Sequence, residues 1–109
     1  MENANLCDAN LTRSSLPWVN LTNANLARAK LQMTDLREAT LRHANLQGAW
    51  LQDASLTGAD LSEAHLMGAQ QLMISLLSKA KTLYQAQFDP AIKEQLLAEF
   101  PAMFDEPPA

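Results

Sequence analysis

Cysteine, glycine and charged residues are scarce in this sequence. The single cysteine, Cys7, excludes an internal disulfide framework and a zinc knuckle, because each needs several thiols. Charged residues make up 18% of the chain and hydrophobic residues 48%, a balance that excludes an intrinsically disordered chain. The net charge of -4 is mildly acidic. We therefore expect no direct nucleic-acid binding, since phosphate recognition needs a clustered basic surface.

Long apolar runs and targeting segments are also missing. The longest apolar stretch, from Leu72 to Leu77, is interrupted by Ser75 and is much shorter than a bilayer-spanning helix. The first residues have neither a basic region nor an apolar core, so no signal peptide is visible. The 109 residues therefore predict one soluble, cytoplasmic domain with no membrane partner.

What the sequence does contain is a repeat of five residues. Leucine recurs at every fifth position, thirteen times without a gap. These leucines are the predicted structural core: Leu6, Leu11, Leu16, Leu21, Leu26, Leu31, Leu36, Leu41, Leu46, Leu51, Leu56, Leu61 and Leu66. A small residue lies two positions before each leucine, and ten of these thirteen residues are alanine. The position between them is Asn or Asp in seven units: Asn5, Asn10, Asn20, Asn25, Asp35, Asn45 and Asp60.

A period of five residues fits neither a helix nor a flat strand. On an α-helix it would move the leucine about 140° around the axis in each unit, and the leucines would form no stripe. On a strand the odd period would send successive leucines to opposite faces. The period favours a chain that turns one corner per unit, with the small residue and leucine pointing inward. Four units then close a square coil of 20 residues, and successive coils stack about 4.8 Å apart.

The repeat resembles a known family. The units at residues 24–28 (ANLAR), 44–48 (ANLQG) and 59–63 (ADLSE) match the consensus A-(D/N)-L-x-x of the pentapeptide-repeat family. The resemblance covers residues 4–68 and implies an all-β solenoid, a right-handed quadrilateral β-helix. Thirteen units at four per coil give about three to four coils. C-terminal extensions occur in cyanobacterial members of the family, so the resemblance also indicates a cyanobacterial type.

The leucine register ends after residue 70, and the sequence divides there. Residues 1–70 are the predicted β-helix, and residues 71–109 form a C-terminal segment. That segment contains a short helical insertion, two repeat-like units at 81–90 shifted by two residues, and a capping α-helix that starts at Asp89-Pro90. The helix is expected to bury one apolar face, made of Ile92, Leu96, Leu97 and Phe100. The tail from Phe104 to Ala109 is expected to fray.

The first coil has no equivalent cap in the sequence. It is expected to present unpaired backbone groups and the apolar tops of its leucines at an open edge. This edge predicts either a homodimer through the first coil or contact with sequence upstream of Met1. In the second case the chain would be a fragment of a larger multidomain protein.

No catalytic, cofactor or metal site is predicted. Cys7 has no base near it, because His43 and His65 lie on later coils. The register aligns His43 with Glu63, stacks Asp8 under Arg28, and places Arg42 near Asp60 and Glu63 as exposed pairs.

Glycines 48, 58 and 68 share one corner position that tolerates positive φ, and no phosphate-binding loop pattern surrounds them. We expect no enzyme; that alternative would need a pocket between the coil and the C-terminal segment, a feature on which the sequence alone does not decide.

Two outward tryptophans, Trp18 and Trp50, are the candidate interface residues, because exposed tryptophan is enriched at protein interfaces. The favoured function is a non-enzymatic scaffold for an unknown protein partner. The family resemblance implies one alternative, a DNA-mimicking gyrase-binding protein. Members of that kind are long and strongly acidic, whereas residues 1–70 here carry seven acidic against five basic side chains, a net of -2.

Overall fold

The fold is built from one short structural unit repeated along a square coil. The computed structural model describes residues 1–107. Each five-residue unit contains a two-residue turn, a small residue, a bridge residue and the leucine. The bridge residue takes its name from the parallel β-bridge that it forms with the residue twenty positions later, as in Asn5–Asn25, Asn25–Asn45 and Lys30–Trp50. Strands are therefore one residue long, and four of them make one coil.

The corners are turns with the features of type II β-turns. At the first complete corner Asp8 has φ 62°, and the N–H of Ala9 donates to the carbonyl of Leu6 at 3.0 Å. A left-handed residue occupies the same position at every fifth residue from Asn3 to Gly68. The expected positive φ is present at Gly48, Gly58 and Gly68, with values of 70°, 73° and 73°. Most corners nevertheless use larger residues, so the coil holds these side chains in a conformation they rarely adopt.

Backbone hydrogen bonds join each coil to the next. In a representative unit the N–H of Leu26 donates to Asn45 at 2.7 Å and that of Arg28 to Gln47 at 2.9 Å. The N–H of Asn45 donates back to Ala24 at 2.9 Å. The pattern repeats around the square, so the stacking does not depend on which side chains occupy the outer positions.

The Asn and Asp residues of the repeat hold the turns. In all seven units the side-chain Oδ1 accepts a hydrogen bond from the N–H two residues later, at 3.0–3.2 Å. This N–H belongs to the first turn residue. The bond is an Asx-turn, which short Asn and Asp side chains form readily. The five-residue pattern predicted that these side chains lie on the outside, but it did not predict this role.

Leucine fills the interior. The leucines from Leu21 to Leu66 are at most 2% exposed, while Leu6, Leu11 and Leu16 on the first coil are half-buried. Thr34 stands at a position usually occupied by alanine and is completely buried. Its hydroxyl donates to the carbonyl of Leu11 at 2.7 Å, so the buried polar group is satisfied.

The coil continues past the end of the leucine register with two extra residues. Asp60 bridges Thr82 and His65 bridges Gln87, a separation of 22 residues instead of 20. Leu83 and Phe88 add a further buried layer. The extra length includes helix α1 (Ile74–Leu77), whose Leu77 is fully buried.

Helix α2 (Pro90–Glu99) and a 3₁₀ helix (Pro101–Phe104) complete the described chain. Ile92, Leu96 and Phe100 pack on the core, but Leu97 is 44% exposed. The expectation that all four share one buried face was therefore wrong for Leu97, which lies about 100° around the helix from Leu96.

The expectation that the chain frays from Phe104 onward was also wrong for Phe104 itself. Its ring packs edge-to-face on Phe88, with centroids 6.2 Å apart, and this contact holds the 3₁₀ helix on the core. The last two residues of the expected tail, Pro108 and Ala109, lie outside the described residues. No helix within residues 1–107 is both long and apolar enough to cross a membrane.

Replacement of Leu36 by alanine tests the packed interior. Leu36 is fully buried, so Leu36→Ala is expected to cost about 2–5 kcal/mol of unfolding free energy. The matched variant Leu11→Ala on the first coil removes a half-buried side chain and should cost about 1–2 kcal/mol. Urea unfolding measures both. Equal losses, or no loss at Leu36, would contradict the packing described.

The Asx-turns give a second test. Asn45→Ala removes the acceptor for the N–H of Gln47 and is expected to cost about 1 kcal/mol, while Asn45→Asp keeps that acceptor and most of the stability. Ser55→Ala changes the same repeat position where no such bond exists, and should stay within about 0.5 kcal/mol of the unmodified chain. If Ser55→Ala lowered the unfolding free energy as much as Asn45→Ala, the Asn45 side chain would have no special role in holding its turn.

Candidate functional site

The ionisable side chains on the coil form exposed pairs. Nε2 of His43 lies 2.9 Å from Oε2 of Glu63, which confirms the alignment predicted from the register. Both side chains are over a third exposed, and no group of three His, Cys, Asp or Glu within residues 1–107 is arranged to hold a metal ion. Arg42 forms no ion pair in this part of the chain, so its expected contact with Asp60 and Glu63 was wrong.

Cys7 belongs to a small polar cluster at the first coil. Arg28 donates from Nε to Oδ1 of Asp8 at 2.9 Å, as the register predicted, and from Nη2 to Sγ of Cys7 at 3.0 Å. Partial desolvation and the hydrogen bond to Asp8 raise the pKa of the Cys7 thiol, and Arg28 opposes them only in part. Hydrogen bonds from Arg28 and Cys7 lower the pKa of Asp8. A raised thiol pKa keeps the thiolate scarce at neutral pH, which is the reverse of what a nucleophilic cysteine needs.

A cleft lies between the last coil and the C-terminal segment, the place where the enzyme alternative would need a pocket. It has a volume of about 230 Å³ and opens to solvent. Its lining includes Lys81, Thr82, Met103, Asp105 and Glu106. Among these lining residues, the hydroxyl oxygen of Thr82 accepts a hydrogen bond from the N–H of Tyr84 at 3.1 Å.

The structure places the two candidate interface tryptophans on different parts of the surface. Trp18 is 75% exposed and sits at a corner of the first coil with φ 63°. Trp50 is 39% exposed and lies in the middle of a flat side of the coil, bridged to Lys30 below and Gln70 above. The structure does not bring the two residues together.

Three exposed methionines lie along the edges of the side of the coil that carries Trp50, and the five-residue pattern did not single them out. We call the side of the coil that carries Asn10, Lys30, Trp50 and Gln70 the Trp50 face. Met33 and Met67 occupy turns at its two edges and are 45% and 43% exposed. Met73, which is 58% exposed, follows the end of its fourth rung. The signal was present in the sequence, since residues 33 and 67 fall at outward turn positions of the five-residue unit.

The Trp50 face also carries positive charge. Lys30 lies on it, while Arg13 and Asp53 occupy turns along one of its edges, and none of the three is among the ion pairs formed within residues 1–107. The face therefore combines a tryptophan and adaptable methionines with unpaired cations, in a chain whose net charge is -4. Tryptophan, methionine and arginine are the residue types enriched at protein interfaces.

Comparison with known proteins gives consistent results. The family model described as pentapeptide repeats matches eight copies, over residues 1–26, 20–58 and 44–70. The crystal structure of the pentapeptide repeat protein Rfr23 from the cyanobacterium Cyanothece 51142 is similar, with 39% identity and a TM-score of 0.52. The alignment covers 81% of this chain and 58% of that chain, so this chain spans little more than half of that relative's length.

Two more distant structures share the fold. One is a pentapeptide repeat protein from the thylakoid lumen of Arabidopsis thaliana, with 19% identity, 89% and 77% of the two chains covered, and a TM-score of 0.58. The other is QnrB1, a plasmid-mediated fluoroquinolone resistance protein, with 17% identity, 90% and 43% covered, and a TM-score of 0.51. At such identities the likeness shows the fold alone. No curated protein matches the chain.

Proposed function

The chain belongs to the pentapeptide-repeat family, and from that membership we propose that it is a non-enzymatic scaffold that binds another protein. The membership confirms the predicted right-handed quadrilateral β-helix. Such a coil has leucine throughout its interior and offers flat outer sides. A solid interior leaves a substrate no space, so recognition is assigned to the outer surface.

The Trp50 face is the observation that carries this proposal. Of the seven large hydrophobic residues with substantial exposure within residues 1–107, four lie on it or at its edges. Exposed tryptophan and methionine cost solvation free energy that a partner recovers on binding. Tryptophan is also the residue type that most often dominates interface energetics. Lys30 on the face and Arg13 at its edge outnumber the one carboxylate there that forms no ion pair, Asp53, and this balance favours a partner with acidic side chains at the rim.

Mimicry of DNA to bind gyrase is the alternative with less support. A DNA mimic needs dense negative charge, whereas Arg13, Arg28 and Lys30 place cations on the coil. The likeness to QnrB1 concerns the fold and adds nothing on partners. The fragment hypothesis and the cytoplasmic location both stay predictions.

The proposal divides the chain into the β-helix at residues 1–70 and a C-terminal segment at residues 71–109 that closes one end of the coil. Hydrogen bonds support the closure. The N–H of Leu83 donates to the carbonyl of Met103 in the 3₁₀ helix at 2.8 Å. The N–H of Gly68 donates to both carboxylate oxygens of Asp89 at 3.2 Å. The Asp89 side chain therefore binds a backbone group of the coil, and it does not cap α2.

Binding measurements with tryptophan variants test the scaffold proposal. Proteins captured by the purified chain would be identified by mass spectrometry, and the Kd of each purified candidate measured by calorimetry. Trp50→Ala is expected to raise the Kd for the true partner about 30-fold, which is the size of effect typical of an interface hot spot. Trp18→Ala removes an equally bulky side chain from another part of the surface and should change the Kd less than threefold. Equal Kd values for the original chain and Trp50→Ala would contradict the proposal.

A pair of neighbouring leucines in α2 tests the closure. Leu96 is fully buried and Leu97 is 44% exposed. Leu96→Ala should cost about 2–5 kcal/mol of unfolding free energy, because it leaves a cavity between the helix and the coil. Leu97→Ala should cost less than about 1 kcal/mol. Thermal or urea unfolding separates the two, and equal small effects would mean that α2 adds nothing to the stability of the coil.

A further inference from the structure

A partner meets side chains rather than backbone groups on the Trp50 face. The N–H of Trp50 donates to Ala29 at 2.9 Å, and its C=O accepts a hydrogen bond from Leu31 at 2.8 Å. The backbone groups of Lys30 and Gln70 are bonded to the preceding coil in the same way. An extended segment therefore cannot pair with these three residues as an added strand. An α-helix needs no such pairing, because its backbone groups bond to one another.

The dimensions of the Trp50 face match those of an α-helix. Its four rungs are Asn10, Lys30, Trp50 and Gln70, and rungs stacked about 4.8 Å apart span about 14 Å from the first to the fourth. An α-helix rises about 5.4 Å per turn and is about 10–12 Å wide. A helix laid parallel to the coil axis therefore brings about one residue per turn, at positions such as i, i+4, i+7 and i+11, against successive rungs. Three turns cover the face.

Cations and apolar residues occupy opposite halves of the face. Arg13 follows the first rung and Lys30 is the second rung, and neither is among the ion pairs within residues 1–107. Trp50 is the third rung, Met67 lies just before the fourth, and Met73 follows the end of the fourth. The first two rungs therefore attract carboxylates, whereas the last two offer apolar surface to be covered.

Carboxylates near the apolar half set the direction of such a helix. Asp53 follows the third rung, about 10 Å from Arg13 along the same edge, so the two charges do not neutralise each other. Beyond the fourth rung, Asp89 accepts hydrogen bonds from the N–H of Gly68. A helix is stabilised by acidic residues in its first turn and basic residues in its last turn. With its first turn over Arg13 and Lys30, such a helix meets opposite charges at both ends, and in the reverse direction it meets like charges.

Resting on the proposed scaffold function, we propose that the Trp50 face binds an amphipathic helix of the partner protein that begins with acidic residues. Asp or Glu at positions i and i+4 of this helix pairs with Arg13 and Lys30. Leu, Met or Phe at positions i+7 and i+11 packs on Trp50, Met67 and Met73. Methionine is unbranched and flexible, so the edges of the face adapt to the apolar side chains that the helix presents.

Selection from a helix library on the purified chain tests this recognition. The probe is a phage-displayed library of alanine-rich helices, about 18 residues long, randomised at positions i, i+4, i+7 and i+11. The unmodified chain is expected to enrich Asp and Glu at the first two positions and Leu, Met and Phe at the last two. Arg13→Glu/Lys30→Glu should instead enrich Lys and Arg at the first two positions. Arg42→Glu/Lys79→Glu makes the same change of net charge away from the Trp50 face and should select the same sequences as the unmodified chain.

A synthetic peptide of the enriched sequence gives the affinity and the direction of binding. Its Kd, measured by calorimetry, should rise at least tenfold for Lys30→Glu and for Trp50→Ala, and less than about twofold for Arg42→Glu. A nitroxide label at the N-terminal end of the peptide should broaden the amide NMR signal of Arg13 more than that of Met73.

Three results would overturn the acidic helix: no enrichment from the helix library, the same sequences on the charge-reversed chain, or broadening at Met73 instead of Arg13. Extended peptides enriched from a parallel library of unstructured sequences would overturn it as well. If a captured protein still lost affinity on Trp50→Ala after any of these results, the helix would be rejected and the scaffold kept. If neither the peptides nor any captured protein depended on Trp50, both proposals would be rejected.

Discussion

A left-handed turn residue at every fifth position is the constraint on which the rest of the structure depends. It bends the chain by about a quarter of a circle after each unit, so that four units close a coil and the leucines face one axis. Asn and Asp at the bridge positions hold seven of these turns by accepting the N–H two residues later. Because the coils then stack through backbone groups, the outer side chains are free to vary without loss of the fold.

This arrangement decides where function can lie. The leucines from Leu21 to Leu66 are at most 2% exposed, so the side chains that are open to a partner lie on the outside of the coil. The outer side chains differ from unit to unit, and the methionines around Trp50 and the indole of Trp18 mark two separate surfaces. At the C-terminal end of the coil, Asp89 and Met103 accept hydrogen bonds from the N–H groups of Gly68 and Leu83. The proposed recognition surface is the flat outer side that carries Trp50.

The sequence was sufficient for the coil because its period is strict. The register alone brought His43 to Glu63 and Asp8 to Arg28, since residues twenty apart must stack. It did not predict that Asn and Asp bind the turn N–H, because an outward position says nothing about which local bond a side chain forms. In the C-terminal segment the period is lost, and the packing of Phe104 on Phe88 and the exposure of Leu97 depend on tertiary structure. The exposure of the methionines could be predicted from their turn positions, but periodicity alone did not mark these residues as part of a binding surface.

Long-range NOEs between the backbone protons of bridge residues test the central claim most directly. The account predicts contacts between Asn25 and Asn45, twenty residues apart, and between Asp60 and Thr82, twenty-two residues apart. A separation of twenty residues in one part of the chain and twenty-two in another is expected only for a continuous coil that accommodates two extra residues. Contacts from Asp60 to Ala80, or an absence of regular contacts beyond residue 70, would contradict the continuous coil.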